Sequence, residues 1–215
     1  MAQVKIRRAG QKDAPALQAI YAPYVRDTAI SFEYEAPSPE EFEQRIEQIG
    51  KEYPFLVFEA GGRPLAYAYA HRHMERAAYR WNAELSVYVH PGALRRGIGR
   101  ALYGALLELL ECQGVQTVYA LVTWPNENSG RLHEAMGFRR LCVMERMGYK
   151  QGKWRDVAWF AKELGGHEDS PAPFWPFSAL EPGRVEDILR RRTERVQAAW
   201  NDRDLLTGGY ESDGT

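Results

Sequence analysis

Apolar side chains recur every three or four positions in five segments of the chain, the spacing that places them on one face of an α-helix. This pattern predicts helices near residues 13–24, 38–50, 97–112, 128–138 and 184–200. Apolar runs and alternating patterns elsewhere predict strands near residues 4–9, 54–60, 65–72, 82–91, 117–123, 138–149 and 157–164. Strands interrupted by pairs of helices indicate a mixed α/β sheet.

Local signals indicate where two of these helices begin and end. Asp13 is expected to cap the first helix, and Pro23 to end or kink it. Ser38 and Glu41 fit a capping box at the start of the second helix, and Gly50 fits its end.

Composition changes after Leu164, where a stretch rich in glycine, proline and serine begins. We therefore predict one folded domain over residues 1–164 and a C-terminal extension over residues 165–215. The extension is expected to hold a linker and a helix, and its last residues, 208–215, are expected to fray.

Charge and composition exclude several classes of protein. A net charge of −1 and a pI near 6.5 argue against nucleic acid as the main partner, which requires a basic excess. The two cysteines form no disulfide framework, so a reduced, cytosolic compartment is expected. The N-terminus lacks the apolar segment of a signal peptide, and no apolar run reaches the roughly 20 residues that span a bilayer.

A glycine-rich turn precedes the third predicted helix. Gly97 and Gly99 let the backbone turn tightly and approach a ligand closely. The start of a helix presents unpaired N–H groups, which bind anions such as phosphates, and three nearby arginines add positive charge. The turn is neither a Walker A loop nor the G-x-G-x-x-G dinucleotide motif. The alternative is a tight connection with surface arginines.

Two motifs resemble the GNAT family of acyl-CoA N-acyltransferases. The turn at residues 94–99 is similar to the family's Gln/Arg-x-x-Gly-x-Gly/Ala motif, with Leu94 in place of the first residue. The second motif, Asn-x-x-Ser-x-x-Leu-Tyr-x-x-x-Gly-Phe, is met by Asn126, Ser129, Leu132, Gly137 and Phe138. His133 stands where many members have tyrosine.

Further segments are similar to the phosphinothricin and methionine sulfone (sulfoximine) acetyltransferase branch of that family. The resemblance covers about residues 4–163. The residues that match the motifs of the branch are Ile20-Tyr21, Tyr24, Ser31-Phe32-Glu33, Arg76, Tyr79, Trp81, Glu84, Val87-Tyr88-Val89, 131–137, Gly148-Tyr149-Lys150, Gly152, Trp154 and Asp156-Val157.

The resemblance implies the GNAT fold, a mixed and mostly antiparallel sheet flanked by helices, with a splayed strand pair that holds coenzyme A. It implies acetyl-CoA as co-substrate. The residues expected to hold it are Val87, Tyr88, Val89, Leu94, Arg95, Arg96, Gly97, Ile98, Gly99, Arg100, Asn126 and Ser129. A backbone N–H at Tyr88 or Val89 would polarise the thioester carbonyl.

The resemblance also assigns catalytic roles. Alternation places Glu84, Ser86 and Tyr88 on one face of their strand and Leu85 and its neighbours on the other. By spacing alone Glu84 fits a solvated sheet carboxylate, whereas the family places its catalytic base there. His133 is expected to protonate the leaving thiolate or to contact the cofactor; the alternative is an exposed polar helix residue.

The acceptor pocket is expected to bind an amino-acid-like molecule. Its candidate residues are Phe32, Glu33, Arg76, Tyr79, Trp81, Lys150 and Trp154. Arg76 would hold an oxyanion, and the aromatic residues would form apolar walls. Lys150 and Trp154 would complete the pocket from the second subunit of a homodimer, the common state in the family. His71 and His73 share a strand face with Glu75, but the chemistry needs no metal, so none is expected.

These features predict an acetyl-CoA-dependent N-acetyltransferase for the α-amino group of phosphinothricin, methionine sulfoximine or methionine sulfone, with a role in detoxification. Cys112 lies on a leucine-rich helix, which favours direct transfer in a ternary complex over an acetyl-enzyme. The alternatives are acetylation of another small amine or a protein N-terminus, and a non-catalytic CoA-binding regulatory or interaction protein.

Overall fold

The computed structural model describes residues 2–206, with side chains as far as Trp200, so the predicted fraying at 208–215 lies outside the described residues. The α-helices of this part are α1 (Ala14–Asp27), α2 (Pro39–Glu52), α3 (Ile98–Cys112), α4 (Glu127–Ala135) and α5 (Pro182–Leu206). The strands are β1 (Val4–Arg8), β2 (Phe55–Ala60), β3 (Arg63–Arg72), β4 (Asn82–Val89), β5 (Thr117–Trp124), β6 (Arg139–Lys150) and β7 (Lys153–Glu163).

The strands form one seven-stranded sheet in the order β1-β2-β3-β4-β5-β7-β6. Neighbouring strands are antiparallel except β4 and β5, which are parallel. These two pair only where residues 82–84 of β4 face 117–119 of β5, although β4 runs on to Val89 and β5 to Trp124. The unpaired ends leave a V-shaped gap, which confirms the predicted fold and its splayed strand pair.

The alternation predicted for β4 is confirmed. Leu85, Val87 and Val89 pack into the core beneath α3, whereas Tyr88 packs with the aromatic cluster under α1 and α2. Helix α3 contributes much of the first core, since its leucines at helical spacing are fully buried. Strand β4 therefore borders both layers of the molecule and also the gap between β4 and β5.

Asp13 occupies the predicted N-cap position of α1, but its side chain does not bond to that helix. The Asp13 carboxylate accepts hydrogen bonds from the Gly10 amide at 2.8 Å and from Arg7 at 2.7 Å, and makes none to an α1 amide. A guanidinium is a stronger partner for a carboxylate than a neutral amide. The capping box of Ser38 and Glu41 is confirmed.

Of the two alternatives for Pro23, an end of α1 is wrong, and the end of α2 predicted at Gly50 falls two residues short. Helix α1 continues through Pro23 to Asp27, because its last turns carry the buried Val25 and tertiary packing outweighs one lost hydrogen bond. Helix α2 continues past Gly50 for two residues.

The C-terminal extension packs against the sheet. The linker brings Phe177 into the main core, and α5 adds Val185, Ile188 and Trp200. Gln197 and Thr193 side chains of α5 accept hydrogen bonds from the Val4 and Ile6 amides at 2.7 and 2.9 Å, covering the outer edge of β1. The helix predicted at 184–200 is thus confirmed, whereas the division into two parts stays a prediction.

No helix in the described part of the chain combines the length and apolar character that a bilayer crossing requires.

Candidate active site

The glycine-rich turn opens helix α3 as an anion site. Gly97, the N-cap, has φ of +78°, a conformation that glycine adopts without a steric penalty. The first amides of α3 have no acceptor within the helix, so they are available to a ligand. A Cβ built on Gly99 would lie 3.4 Å from Leu132 Cδ2, which shows how closely α3 and α4 approach here.

Basic side chains surround this turn. Arg95, Arg96 and Arg100 are exposed, as is Leu94, which precedes them. Arg100 donates to the Ala135 carbonyl at 3.3 Å, and the Arg96 guanidinium lies 5.2 Å above the Trp200 ring. The first turn of α3 carries no acidic residue, so its field favours negative charge.

The gap between β4 and β5 forms a cleft beside this turn, since a Cβ built on Gly99 would lie 3.9 Å from Val87 Cγ2 in the wall of the cleft. Its walls are 85–88 of β4 and 120–123 of β5, and it is closed by Ile30, Tyr103, Asn126, Ser129 and His133. The Asn126 side chain accepts a hydrogen bond from the Ser129 amide at 3.1 Å and so caps the start of α4.

The β3–β4 ladder determines which amides of β4 face the cleft. The His90 amide donates to the Leu65 carbonyl across that ladder. Because residues of an antiparallel strand turn alternately towards and away from one partner, the Tyr88 N–H faces β3. The Val87 and Val89 N–H groups face the gap. Of the two alternatives that the sequence left open for polarising a carbonyl, this geometry favours Val89.

His133 is buried at the base of the cleft. Its Nδ1 lies 2.8 Å from the Ser129 carbonyl oxygen, and its Nε2 lies 3.3 Å from the Tyr103 hydroxyl. Since a carbonyl only accepts, Nδ1 carries the proton and Nε2 accepts from Tyr103. Burial lowers the pKa of His133. The imidazole is therefore neutral, and its one N–H donates to the Ser129 carbonyl.

Glu84 lies on the opposite face of β4, between two histidines. His73 Nδ1 is 3.3 Å from one carboxylate oxygen, and His71 Nε2 is 3.8 Å from the other. The carboxylate remains partly accessible to solvent. Each of its oxygens thus faces an imidazole to which the sequence interpretation had assigned no role.

Three predicted pocket residues meet in one network around the segment after α1. Glu33 accepts both hydrogen bonds of the Arg45 guanidinium, at 2.7 and 2.9 Å, and one from the Tyr21 hydroxyl at 2.8 Å. A Cβ on Gly148 would clash with the Phe32 ring at 2.2 Å, so this ring lies directly on the β6 backbone.

Lys150 anchors the same segment. Its buried Nζ donates to the carbonyls of Val25 at 2.6 Å, Ser31 at 2.7 Å and Glu33 at 2.5 Å. Burial lowers the pKa of this ammonium, partly offset by the charge of Glu33. With three backbone acceptors, the amine is engaged within the protein.

The remaining predicted pocket residues contact other parts of the chain. Trp81 donates from Nε1 to the Ala172 carbonyl of the linker at 2.8 Å. Trp154 is exposed on the β6–β7 hairpin and packs against Tyr149. Arg76 and Tyr79 lie exposed in the loop between β3 and β4.

Sequence reasoning missed three residues of this site. Tyr103 occupies a core position of the α3 pattern, which carries no sign of a role in a cleft. His71 and His73 were weighed only as metal ligands, and their nearness to Glu84 follows from strand register. No group of three potential ligands that could hold a metal is found among the described residues.

Comparisons with known proteins agree with this geometry. The acetyltransferase (GNAT) domain profile matches residues 6–159. The chain is 36% identical over 170 residues to phosphinothricin N-acetyltransferase of Streptomyces viridochromogenes, covering 79% of this chain and 91% of that protein. It is 31% identical over 172 residues to L-methionine sulfoximine/L-methionine sulfone acetyltransferase of Pseudomonas paraeruginosa, covering 77% and 98%.

A solved structure of similar fold is a phosphinothricin acetyltransferase from Sinorhizobium meliloti in complex with acetyl-CoA. It superposes with a TM-score of 0.77 at 31% identity, covering 83% of this chain and 98% of that one. The matched profile runs from β1 into β7, and these relatives cover more than three quarters of the chain. The chain therefore belongs to the GNAT family of acetyltransferases.

Proposed function

We propose that this protein transfers the acetyl group of acetyl-CoA to the α-amino group of a small amino-acid analogue such as phosphinothricin, methionine sulfoximine or methionine sulfone. The observation that carries the proposal is the V-shaped gap in the sheet. The gap lies beside the anion site at α3, two β4 amides face it, and Glu84 lies on the adjoining face of β4. The named relatives supply the acceptor class.

The residues present fit acetyl-CoA. The amides of Ile98, Gly99 and Arg100 would hold its pyrophosphate, and the gap would take its pantetheine arm between β4 and β5. The bound co-substrate supplies an activated acetyl thioester. The Val89 N–H then donates a hydrogen bond where negative charge develops on the carbonyl oxygen.

Proton transfer is assigned to side chains on the two faces of β4. Glu84 accepts the proton of the substrate ammonium, which frees a lone pair on nitrogen for attack. The Tyr103 hydroxyl would stabilise the leaving thiolate by turning its one proton from His133 Nε2 to the sulfur. The contacts of His133 support a positioning role behind Tyr103, because the imidazole is neutral and its proton is bound to the Ser129 carbonyl.

The acceptor binds on the Glu84 face, under the segment that Lys150 anchors. Phe32 supplies an apolar wall, and Glu33 with Arg45 forms a charged rim. Arg76 is the proposed partner of the substrate's oxyanion head. Six exposed large apolar side chains on the β6–β7 hairpin support a homodimer that covers this unpaired edge of the sheet.

The test is thiol release from acetyl-CoA with phosphinothricin and methionine sulfone as separate acceptors. Glu84→Gln should lower kcat by roughly 10²-fold or more and leave the KM for acetyl-CoA unchanged, since it removes only the base. Glu75→Gln, which neutralises an exposed carboxylate nearby, is the matched control and should keep wild-type rates. Binding of acetyl-CoA without turnover of either acceptor would contradict the proposed substrate class.

A further inference from the structure

The His71-Arg72-His73 motif brings two imidazoles to one carboxylate. His71 is the direct cross-strand partner of Glu84 in the β3–β4 register, so the two side chains share a face of the sheet. The Nε2 of His71 lies 3.8 Å from Glu84 Oε1, and the Nδ1 of His73 lies 3.3 Å from Oε2. Each carboxylate oxygen therefore faces its own imidazole.

The two histidines differ in exposure. The His73 side chain is 6% exposed, and its ring stacks on Tyr119 at 4.3 Å and meets the edge of Trp159 at 5.4 Å. The His71 side chain is 37% exposed. His73 is thus a fixed hydrogen-bond donor to the carboxylate, and His71 connects the carboxylate with solvent.

The hydrogen bonds define which nitrogen of His71 carries its proton. Nδ1 lies 3.0 Å from the Arg72 carbonyl oxygen, which can only accept, so the proton of the neutral ring is on Nδ1. The lone pair of Nε2 then faces an ionised carboxylate. Because His71 Nε2 and the Glu84 carboxylate oxygen are both acceptors, a proton taken up by one of them can be shared with the other. A small rotation of the exposed ring, or one bridging water, spans the 3.8 Å.

We propose that His71 carries the substrate's proton from Glu84 to solvent, and that His73 is a positioning residue that holds the Glu84 carboxylate. This inference rests on the proposed function. An N–H bond of the substrate ammonium breaks as an O–H bond forms on Glu84. That O–H bond then breaks as an N–H bond forms at His71 Nε2. The exposed imidazolium releases one proton to water, which regenerates both groups for the next turnover.

The experiment is steady-state kinetics of the full chain with an acceptor that the wild type acetylates. In His71→Ala, kcat should fall by about tenfold with both KM values unchanged, and added imidazole should restore most of it, because the small base enters the vacated exposed site. His73→Phe keeps a stacking ring but removes the donor. It should lower kcat without rescue, because that site is buried.

Glu84→Gln is the control for rescue. Added imidazole should not restore its activity, because no carboxylate is present to pass on the substrate's proton. Wild-type kcat in His71→Ala, or a loss that imidazole leaves unchanged, would overturn the relay while leaving the base intact. Full activity of Glu84→Gln would instead refute Glu84 as the base. If the wild type acetylates no amine, the proposed function fails, and the relay fails with it.

Discussion

Gly97 shows how one residue supports the anion site. Its φ of +78° is a conformation that costs an alanine roughly 1–2 kcal/mol. We expect Gly97→Ala to shift this turn and to raise the KM for acetyl-CoA by about tenfold, with a smaller effect on kcat. Initial rates at varied acetyl-CoA would measure this.

Gly62 offers a matched control for that substitution. It has φ of +76° and open space around it, in the hairpin between β2 and β3. Gly62→Ala should cost similar stability and leave the KM for acetyl-CoA unchanged. Equal KM values in the two variants would show that Gly97 does not support the co-substrate site.

His133 makes folding stability depend on pH. Burial lowers the pKa of His133 in the folded state below the ordinary histidine value of about 6.5. At pH values between the folded and unfolded pKa, the unfolded chain binds more protons at His133 than the folded chain does. The free energy of unfolding therefore rises with pH in this range, and the contribution of His133 becomes constant above about pH 6.5. As pH falls through that range, this contribution is lost.

Urea unfolding of wild type and His133→Phe at a series of pH values would measure the effect. Phenylalanine keeps the ring that stacks on Phe160, at 5.2 Å in the wild type, but does not titrate. The variant should therefore show a smaller decrease in stability towards acid pH. An unchanged slope would contradict the assignment to His133.

At the scale of elements, one ammonium connects β6 with the segment after α1. Lys150 was interpreted from sequence as a pocket ligand, yet its three carbonyl partners lie more than 100 residues away along the chain. Lys150→Met would leave these carbonyls without a donor. We expect a loss of about 3 kcal/mol and a raised KM for the acceptor amine.

Denaturant unfolding and acceptor kinetics would check this expectation, with Lys153→Met as the control. Lys153 is an exposed lysine at the start of β7 and should tolerate the change. If Lys150→Met kept wild-type stability while losing acceptor affinity, the side chain would instead be a direct substrate ligand.

At the scale of the whole molecule, the extension and the sheet share one core. Trp200 is 5% exposed, packs on Phe58 and lies under the Arg96 guanidinium of the anion turn. Trp200→Ala should cost about 3–5 kcal/mol of stability. It should also raise the KM for acetyl-CoA two- to fivefold, because Arg96 loses a contact of about 0.5–1 kcal/mol.

Trp175 provides the comparison, since it lies in the linker before α5 and is 54% exposed. Trp175→Ala should shift the melting temperature by no more than a few degrees and should leave the KM for acetyl-CoA unchanged. If both variants lost similar stability and similar affinity for acetyl-CoA, the effect of Trp200→Ala could not be assigned to the contact between Trp200 and Arg96.

The amino-acid sequence by itself determined the features that depend on near neighbours. Helical spacing identified α3, the glycines at 97 and 99 identified the anion turn, and two-residue alternation placed Glu84 and Leu85 on opposite faces. Such features follow from backbone conformation and side-chain direction, which are local properties of the chain.

Only the tertiary structure decided the contacts between distant segments. Strand register placed His71 beside Glu84, packing of Val25 carried α1 through Pro23, and the fold gave the Lys150 amine three backbone acceptors. The extension covers β1 through α5 side chains that no local pattern assigns to that edge. These contacts depend on the pairing and packing of the whole chain. They join segments that are far apart in sequence, and the local spacing of apolar residues does not indicate which segments will meet.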